Sequence, residues 1–311
     1  MCDFSEYGTL SDEWTALEAT LPRAASTTES YAKLRERNNA DREALAAKGF
    51  ALLAPRLITK DYTIPTRDGA AVDARTYQLG SDDKSLASAE GALPVYIHFH
   101  GGGFHVGTLG SEDGICARIA ADTGVLVLNV NYRHTPEHAY PTAFHDAADA
   151  FKWLHANTAL LGSDPSRVIM GGISAGANLT ASVLVARHLR LPGWEDLADL
   201  PEPLGQVLMT PCLYHGDCSP RRLDAGLAPS AAGGSYEQCK NAPVLPVWKV
   251  KFFLDQLKVA LPVDPNDYVL NPGNIPPESA AGLPPATFGV SGADPLRDEG
   301  LLFAKMLTEQ R

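Results

Sequence analysis

The sequence lacks the long apolar runs and the leader features that direct a chain into or across a membrane. No apolar run in its 311 residues approaches the roughly 18 to 20 residues that a spanning helix needs. The opening segment, Met1 to Glu6, has neither the basic start nor the apolar stretch of a signal peptide. These absences predict a cytoplasmic protein without a membrane span.

Motifs that would hold a metal or a cofactor are also missing. The five cysteines form no CxxC pair, and their odd number leaves at least one thiol free in any disulfide scheme. His134 and His138 lie four residues apart, but Pro136 between them disfavours a regular helix. The Gly101–Gly103 run has neither the GxGxxG nor the GK[ST] form of a phosphate-binding loop. We therefore expect reduced thiols, no metal and no cofactor.

The chain has fewer basic than acidic residues. The chain has 26 Lys and Arg against 37 Asp and Glu, a formal net charge of −11. Because phosphate binding needs clustered Lys and Arg, this balance argues against a nucleic-acid partner. Hydrophobic residues make up 45% and charged residues 20%, which is typical of a globular protein with a sizeable core.

Apolar runs and helical segments alternate through the middle of the chain. The runs at Pro94–Phe99 and Val125–Val130 are each followed by a helical pattern, Ser111–Asp122 and Thr142–His155 respectively. Buried strands joined by helices predict an α/β fold with a mostly parallel sheet and helices on both faces. Ahead of this alternation, the sequence predicts a hairpin of 61–64 with 72–77 and a loop over 80–92. The hairpin is predicted from residues typical of strands, and the loop from residues typical of turns.

Two segments do not follow the alternation. The first contains two amphipathic helical patterns, Glu13–Leu21 and Tyr31–Leu53. The second, about 214–285, is rich in Pro and Gly, holds one clear helix at Val247–Leu257, and is too long for an ordinary connection. The predicted organisation is therefore N-terminal cap helices (1–55) and a core (56–311) with a cap insertion at about 214–285.

A GxSxG motif supplies a candidate nucleophile. Gly172 to Gly176 follows an apolar run and opens a helical pattern, so Ser174 falls on a strand-to-helix turn. Glycines leave room for such a strained turn, and the helix start offers free N–H groups beside the serine. On this motif alone, a glycine-rich turn without a catalytic role remains the alternative.

A glycine loop supplies the second candidate group. His100 is followed by Gly101, Gly102 and Gly103 directly after the predicted strand 94–99. Successive glycines leave backbone N–H groups unshielded, as an oxyanion requires, and the N–H of Ala175 after the nucleophile would add another donor. We predict an oxyanion hole here, with His100 fixing the loop rather than moving protons.

Four segments together resemble the hormone-sensitive-lipase branch of the α/β-hydrolase fold. They are His100–Phe104, Asn131–His138, Gly172–Gly176 with Asn178, and Asp294–Glu299. Their order and spacing are similar to the family from about Leu57 to the chain end. The resemblance implies that Asp294 is the acid of a catalytic triad, with Asp298 as its competitor. It also implies that the N-terminal helices pack over the pocket and that Arg133 and Glu137 tie loops together.

The general base of such a triad is not evident. In this fold the histidine follows the acid in chain order, but all nine histidines precede Asp294. The last strand and loop of the fold, which would carry it, are absent from the sequence. Three interpretations stay open: a truncated esterase, a shortened enzyme in which His105 or His215 substitutes, or a member that has lost hydrolysis.

We therefore expect a serine hydrolase that cleaves carboxylic esters of small to medium apolar acids through an acyl-enzyme. Ser174 would attack, Gly102, Gly103 and Ala175 would bind the oxyanion, and Asp294 would orient a base. The alternative is a hydrolysis-deficient member. The plant gibberellin receptors, which resemble this branch and lack the triad histidine, are a precedent for ligand binding, and dehydratases or cyclases acting on natural products are a further class.

Overall fold

The computed structural model describes residues 2–20, 30–80, 91–216, 218–228 and 230–310. Seven strands form one sheet: β1 Leu57–Pro65, β2 Ala71–Leu79, β3 Leu93–Phe99, β4 Leu126–Asn131, β5 Ser163–Ile173, β6 Gly205–Met209 and β7 Ala286–Gly289. The helices are α1 Asp12–Glu18, α2 Tyr31–Leu53, α3 Leu109–Thr123, α4 Thr142–Ala156, α5 Thr158–Leu161, α6 Ala175–His188, α7 Pro220–Asp224, α8 Ser235–Gln238, α9 Val247–Gln256 and α10 Arg297–Glu309. Single 3₁₀ turns occupy Ser5–Gly8, Ala54–Arg56, Glu195–Asp199, Pro272–Asn274 and Pro277–Ala280.

The strand order determines where loops meet. The order is β1-β2-β4-β3-β5-β6-β7. The β1–β2 and β2–β4 pairs are antiparallel, and the other four pairs are parallel. The carboxyl ends of β3, β5 and β7 therefore open on the same edge of the sheet, and loops at this edge form the ligand crevice in open α/β sheets. The predicted fold class, a mostly parallel sheet in an α/β-hydrolase arrangement, is confirmed.

The element bounds differ from the sequence prediction in a few places. The helix Tyr31–Leu53 and the hairpin are present as predicted, whereas α1 ends at Glu18 and the remainder of its predicted range reaches residues outside the described ranges. Residues 81–90 of the predicted 80–92 loop also lie outside them. The cap segment contains α7 and α8 in addition to the predicted helix. Both are four or five residues long, too short for a helical period to show.

Helix α6 is the central helix of the molecule. Every residue from Ala175 to Ala186 is buried, which small side chains permit because they allow close approach to β5 and β6. Its buried polar groups are paired: Asn178 Nδ2 donates to Cys212 O at 2.6 Å, and Ser182 Oγ donates to Val269 O at 2.5 Å. These bonds tie two distant loops to α6, one near its start and one at its middle.

The N-terminal helix α2 packs along α3. Glu43 accepts a hydrogen bond from the Thr108 hydroxyl at 2.5 Å, and a Cβ at Gly114 would lie 3.0 Å from the Ala46 carbonyl oxygen. The two helices are therefore in close backbone contact. No helix in the described ranges is both long and apolar enough to cross a bilayer.

Candidate active site

Ser174 occupies a strained turn between β5 and α6. Its backbone has φ 56° and ψ −114°, a conformation that costs energy for a non-glycine residue. A Cβ at Gly172 would lie 2.4 Å from the Gly176 carbonyl carbon, and one at Gly176 would lie 2.0 Å from Phe99 O. The two motif glycines are therefore required because the end of β3 packs directly on the turn. The Ser174 hydroxyl, half-buried, makes no hydrogen bond within the described part of the chain.

The glycine loop after β3 is held against this turn. Gly102 has φ 133° and Gly103 has φ 61°, both in the region that favours glycine. A Cβ at Gly102 would lie 1.9 Å from Val106 O, and one at Gly101 would lie 3.0 Å from Ile173 O. Since Ile173 immediately precedes Ser174, the loop and the nucleophile turn are in van der Waals contact.

His100 is buried next to the glycine loop and packs against it. The ring is fully buried, stacks on Tyr132 with ring centroids 4.2 Å apart, and has Nδ1 3.0 Å from Gly101 O. Burial lowers the pKa of His100 to about 4, so the ring is neutral at pH 7. A ring in this position shapes the loop and has no access to a substrate proton.

A charged side chain from α2 also holds the loop. Arg42 Nη1 donates to Gly101 O at 3.0 Å, and its Nη2 donates to Glu112 at 2.7 Å. Burial alone would raise the pKa of Glu112, but its hydrogen bond to His98 and the nearby cationic groups hold it at about 2. Glu112 is therefore an anion that anchors Arg42. Sequence reasoning missed this contact because nothing local in α2 marks a residue that bonds 59 positions away.

A cavity of about 490 Å³ brings the predicted site residues together. Ser174, Ala175, the Gly101–Gly103 loop and Asp294 all line it. Most of the remaining wall is apolar, and part of it comes from the cap segment, with Val250 and Phe253 of α9 among its members. Thr210 and Lys249 also line it and were not identified from the sequence, because each lies in a loop or helix with no motif.

Asp294 lies in the loop after β7. Its Oδ1 accepts a hydrogen bond from the Leu296 N–H at 2.8 Å. Burial raises the pKa of Asp294 to about 6, and this hydrogen bond opposes the rise only in part. The competing carboxylate, Asp298, is fully buried elsewhere, where it accepts from Arg297 Nε at 2.8 Å and from the Ser235 N–H at 2.6 Å. Asp294 and not Asp298 therefore faces the cavity.

The raised pKa of Asp294 predicts a stability change with a defined sign. Its pKa is higher in the folded chain (about 6) than its ordinary value of 3.8. Folding is therefore penalised once the carboxylate ionises, as pH rises from about 4 through 6, and is not penalised below that window. We expect Asp294→Asn to increase the free energy of unfolding by about 1 to 3 kcal/mol at pH 8 and by little at pH 4.

Asp298→Asn is the matched control for that measurement. It removes the charge from a buried ion pair with Arg297, which costs about 3 kcal/mol or more. Urea unfolding of both variants at pH 8 should thus shift in opposite directions. A loss of stability in Asp294→Asn at pH 8 would contradict the description of Asp294 as an acid whose desolvation is only partly offset by its hydrogen bond to the Leu296 N–H.

None of the nine histidines, all within the described ranges, lines the catalytic cavity. His105 is buried, with Nδ1 2.9 Å from Thr135 O. His215 lines a different cavity, and its Nε2 lies 3.3 Å from Leu254 O. The structure therefore brings neither proposed substitute into the cavity that Ser174 and Asp294 share.

The loop residues implied by the family resemblance are engaged as that resemblance predicts. Arg133 Nη2 and Nε donate to Asp146, and its Nη1 donates to Asp68 at 2.7 Å. Glu137 accepts from Arg35 Nη2 at 2.9 Å. Arg133 therefore joins the segment after β4 to α4 and to the β1–β2 turn, and Glu137 joins the same segment to α2. Neither residue lines the cavity.

Comparisons with known proteins agree with this geometry. A family model described as alpha/beta hydrolase fold matches residues 96–311. The chain is 34% identical over 218 residues to the carboxylesterase NlhH of Mycobacterium tuberculosis, which covers 70% of this chain and 61% of that protein. It is 32% identical over 251 residues to an ethyl acetate hydrolase of Pseudomonas putida, covering 80% and 69%. Among solved structures, vibralactone cyclase superposes with a TM-score of 0.78 at 29% identity, covering 97% and 83%.

The match to NlhH spans about three fifths of that protein's length. Within residues 96–311, which the family model matches, lie the strand–turn–helix at Ser174, the glycine loop after β3 and the segment that carries Asp294. The chain therefore belongs to the α/β-hydrolase fold family, in its hormone-sensitive-lipase-like branch.

Proposed function

We propose that the chain is the catalytic part of a serine hydrolase that cleaves carboxylic esters of small to medium apolar acids. The observation that carries the proposal is the shared cavity, in which a strained Ser174, the glycine loop and a half-buried Asp294 meet. Nucleophilic acyl transfer needs these groups, and an apolar wall suits an uncharged acyl or alkyl group.

The chemistry follows from the positions of these groups. The Ser174 oxygen attacks the ester carbonyl, and the N–H groups of Gly102, Gly103 and Ala175 stabilise the oxyanion. Collapse of the tetrahedral intermediate breaks the bond to the alcohol oxygen and leaves an acyl-Ser174. Water then attacks the acyl carbon and releases the acid. Each half needs a base between Ser174 and Asp294, which the nine histidines do not supply.

The strain at Ser174 is consistent with this role. A residue held at positive φ by surrounding contacts presents its side chain at the tip of the turn, free of competing hydrogen bonds. The helix α6 begins at Ala175, so its N-terminal end and the N–H of Ala175 lie next to the attacking oxygen. The N-terminal end of α6 and the N–H of Ala175 both stabilise the negative charge that develops during attack.

The alternative, a receptor-like binder or a dehydratase or cyclase, is not favoured. The curated relatives are named for ester hydrolysis, among them a carboxylesterase and an ethyl acetate hydrolase. Vibralactone cyclase is similar in fold at 29% identity, and its name describes the reaction of that protein alone. A small-molecule ester is the proposed partner, and the net charge of −11 supports the absence of a nucleic-acid partner.

The same proposal assigns roles to the parts of the chain. The N-terminal helices (1–55) and the cap insertion (about 214–285) form the roof of the site on a core of 56–311. This division is supported because Asn38 and Arg42 of α2 and Phe253 of α9 line the cavity opposite Ser174. A cytoplasmic location is supported by five cysteines that are all unpaired.

Product analysis tests the function. The protein is incubated with phenyl butyrate and imidazole in ¹⁸O-water. We expect butyric acid with one ¹⁸O in its carboxylate, because water attacks the acyl-enzyme at the carbonyl carbon. Phenyl butyrate recovered unchanged but bound would indicate a receptor-like protein. A rearranged or dehydrated product from a natural-product ester would indicate the non-hydrolytic class.

A further inference from the structure

A second cavity lies behind the helix that closes the catalytic cavity. Its volume is about 680 Å³, and its lining is mainly apolar, with Leu261 and Val263 among its members. It is separate from the cavity that holds Ser174, since neither Ser174 nor the glycine loop lines it. No step of the proposed ester chemistry uses it.

Helix α9 places a different face toward each cavity. Lys249 and Phe253, four residues apart, line the catalytic cavity only. Val247, Lys251 and Asp255 repeat at the same spacing and line the second cavity only. Residues four apart lie on one face of a helix, so the two cavities flank α9 on two sides.

Two residues of α9 line both cavities. Val250 and Leu254 are each 5% exposed, and each contributes to the wall of the catalytic cavity and to the wall of the second one. They are also four positions apart, so their side chains form one continuous ridge along the helix. That ridge is the partition between the two spaces.

We propose that the side chains of Val250 and Leu254 set the length of apolar chain that the catalytic cavity accepts, and that the second cavity is the space such a chain enters once they are shortened. The inference rests on the proposed function for its substrate, the alkyl or acyl chain of an ester. A chain that grows from Ser174 toward α9 meets these two aliphatic side chains and cannot pass. Beyond them lies a mainly apolar space of comparable size.

The expected effect on binding follows from burial of methylene groups. In the unaltered protein, affinity for unbranched apolar ligands rises with chain length and then stops rising at the ridge. With Val250→Ala and Leu254→Ala combined, each further methylene enters the second cavity and strengthens binding by about fourfold. The ligands are 2-alkanones from 2-hexanone to 2-undecanone, neutral molecules that are not hydrolysed, with dissociation constants measured by calorimetry.

The quantity compared is the ratio of the two dissociation constants, 2-hexanone over 2-undecanone. We expect this ratio to be at least about tenfold higher in the double variant than in the unaltered protein. Val247→Ala and Leu261→Ala are matched controls. They remove the same side chains from positions that line only the second cavity, so each should leave the ratio within about twofold.

A reversal variant separates a joined cavity from a loosened fold. Adding Val247→Phe to the double variant fills the second cavity and should return the ratio to that of the unaltered protein. If the double variant does not fold, Val250→Ala alone carries the test, with a smaller shift in the same direction. An unchanged ratio in a folded Val250→Ala, Leu254→Ala protein would overturn the proposal, as would an increase that Val247→Phe does not reverse.

This measurement does not depend on hydrolysis. A shifted ratio without any ester turnover, even when imidazole is added, would support the partition and count against the proposed function. Turnover of short esters together with an unchanged ratio would support the function and overturn the partition.

Discussion

A polypeptide of residues 1–311 should hydrolyse p-nitrophenyl butyrate about 10⁴- to 10⁶-fold more slowly than a complete Ser–His–Asp esterase, and imidazole should restore part of that rate. No histidine of residues 1–311 lines the cavity, so no imidazole there accepts the Ser174 proton. Asp294 accepts a hydrogen bond from the Leu296 N–H but has no imidazole to orient. Free imidazole can enter a cavity of about 490 Å³ and bridge the two groups.

Rescue by imidazole should have a limited size and should require a ring N–H. A positioned base contributes roughly 10²- to 10⁴-fold, and an untethered one should reach the lower end, about 10²-fold. The bridge needs one ring nitrogen that accepts from Ser174 and one N–H that donates to Asp294. N-methylimidazole lacks that N–H and should rescue poorly, which makes it the matched control. Stopped-flow release of p-nitrophenolate gives the protein-dependent rate after subtraction of the rate in imidazole alone.

The contrary result is equally specific. Fast hydrolysis by residues 1–311 without imidazole, abolished by Ser174→Ala, would show that one of the nine histidines reaches the site in solution. His105→Ala and His215→Ala would then identify which one. Loss of that hydrolysis in His105→Ala or in His215→Ala would overturn the placement of the corresponding ring outside the catalytic cavity.

Ser174→Ala should remove all hydrolysis above that of the solution, a loss of about 10⁴-fold or more in any form of the protein that has a base. The Ser174 hydroxyl makes no hydrogen bond among the described residues, so its removal should leave the thermal midpoint almost unchanged. This variant should therefore lose its activity and keep its thermal stability. The measurement is the imidazole-rescued rate beside a thermal unfolding curve.

Thr210→Ala is the control for that variant. Thr210 is the other hydroxyl side chain of the described residues that lines the cavity, and it follows β6 rather than the strained turn. Its removal should keep the rescued rate within about tenfold. If Thr210→Ala lost the rate and Ser174→Ala retained it, the nucleophile would be assigned to the wrong hydroxyl.

The parts of this site that could be predicted from the sequence are those whose cause is local. A strand, a glycine-flanked serine and a helix follow one another within Ser163–His188, so Ser174 could be identified from neighbours alone. The glycine loop is similarly contiguous with β3. The helix Tyr31–Leu53 has its predicted bounds because no proline interrupts it and Pro55 lies shortly after its end.

The parts that could not be predicted depend on contacts between distant segments. The bond from Arg42 to Gly101 joins α2 to the glycine loop, and no feature of α2 distinguishes Arg42 from its other arginines. The double role of Val250 and Leu254 exists only because two cavities happen to flank α9. Their spacing on a helix is visible in the sequence, but which face meets which space is decided by the packing of the cap.

The most direct test of Ser174 as the acylated nucleophile is the mass of the protein after reaction with p-nitrophenyl butyrate in the absence of imidazole. Acylation by an ester with so good a leaving group as p-nitrophenolate depends less on a base than attack by water on the acyl-enzyme does, so the acyl-enzyme should accumulate during a prolonged incubation. We expect one butyryl group per chain, located by peptide mapping on Ser174 and released when imidazole is added. Butyrylation of Cys212 or Lys249, which line the same cavity, with Ser174 unmodified would contradict this account.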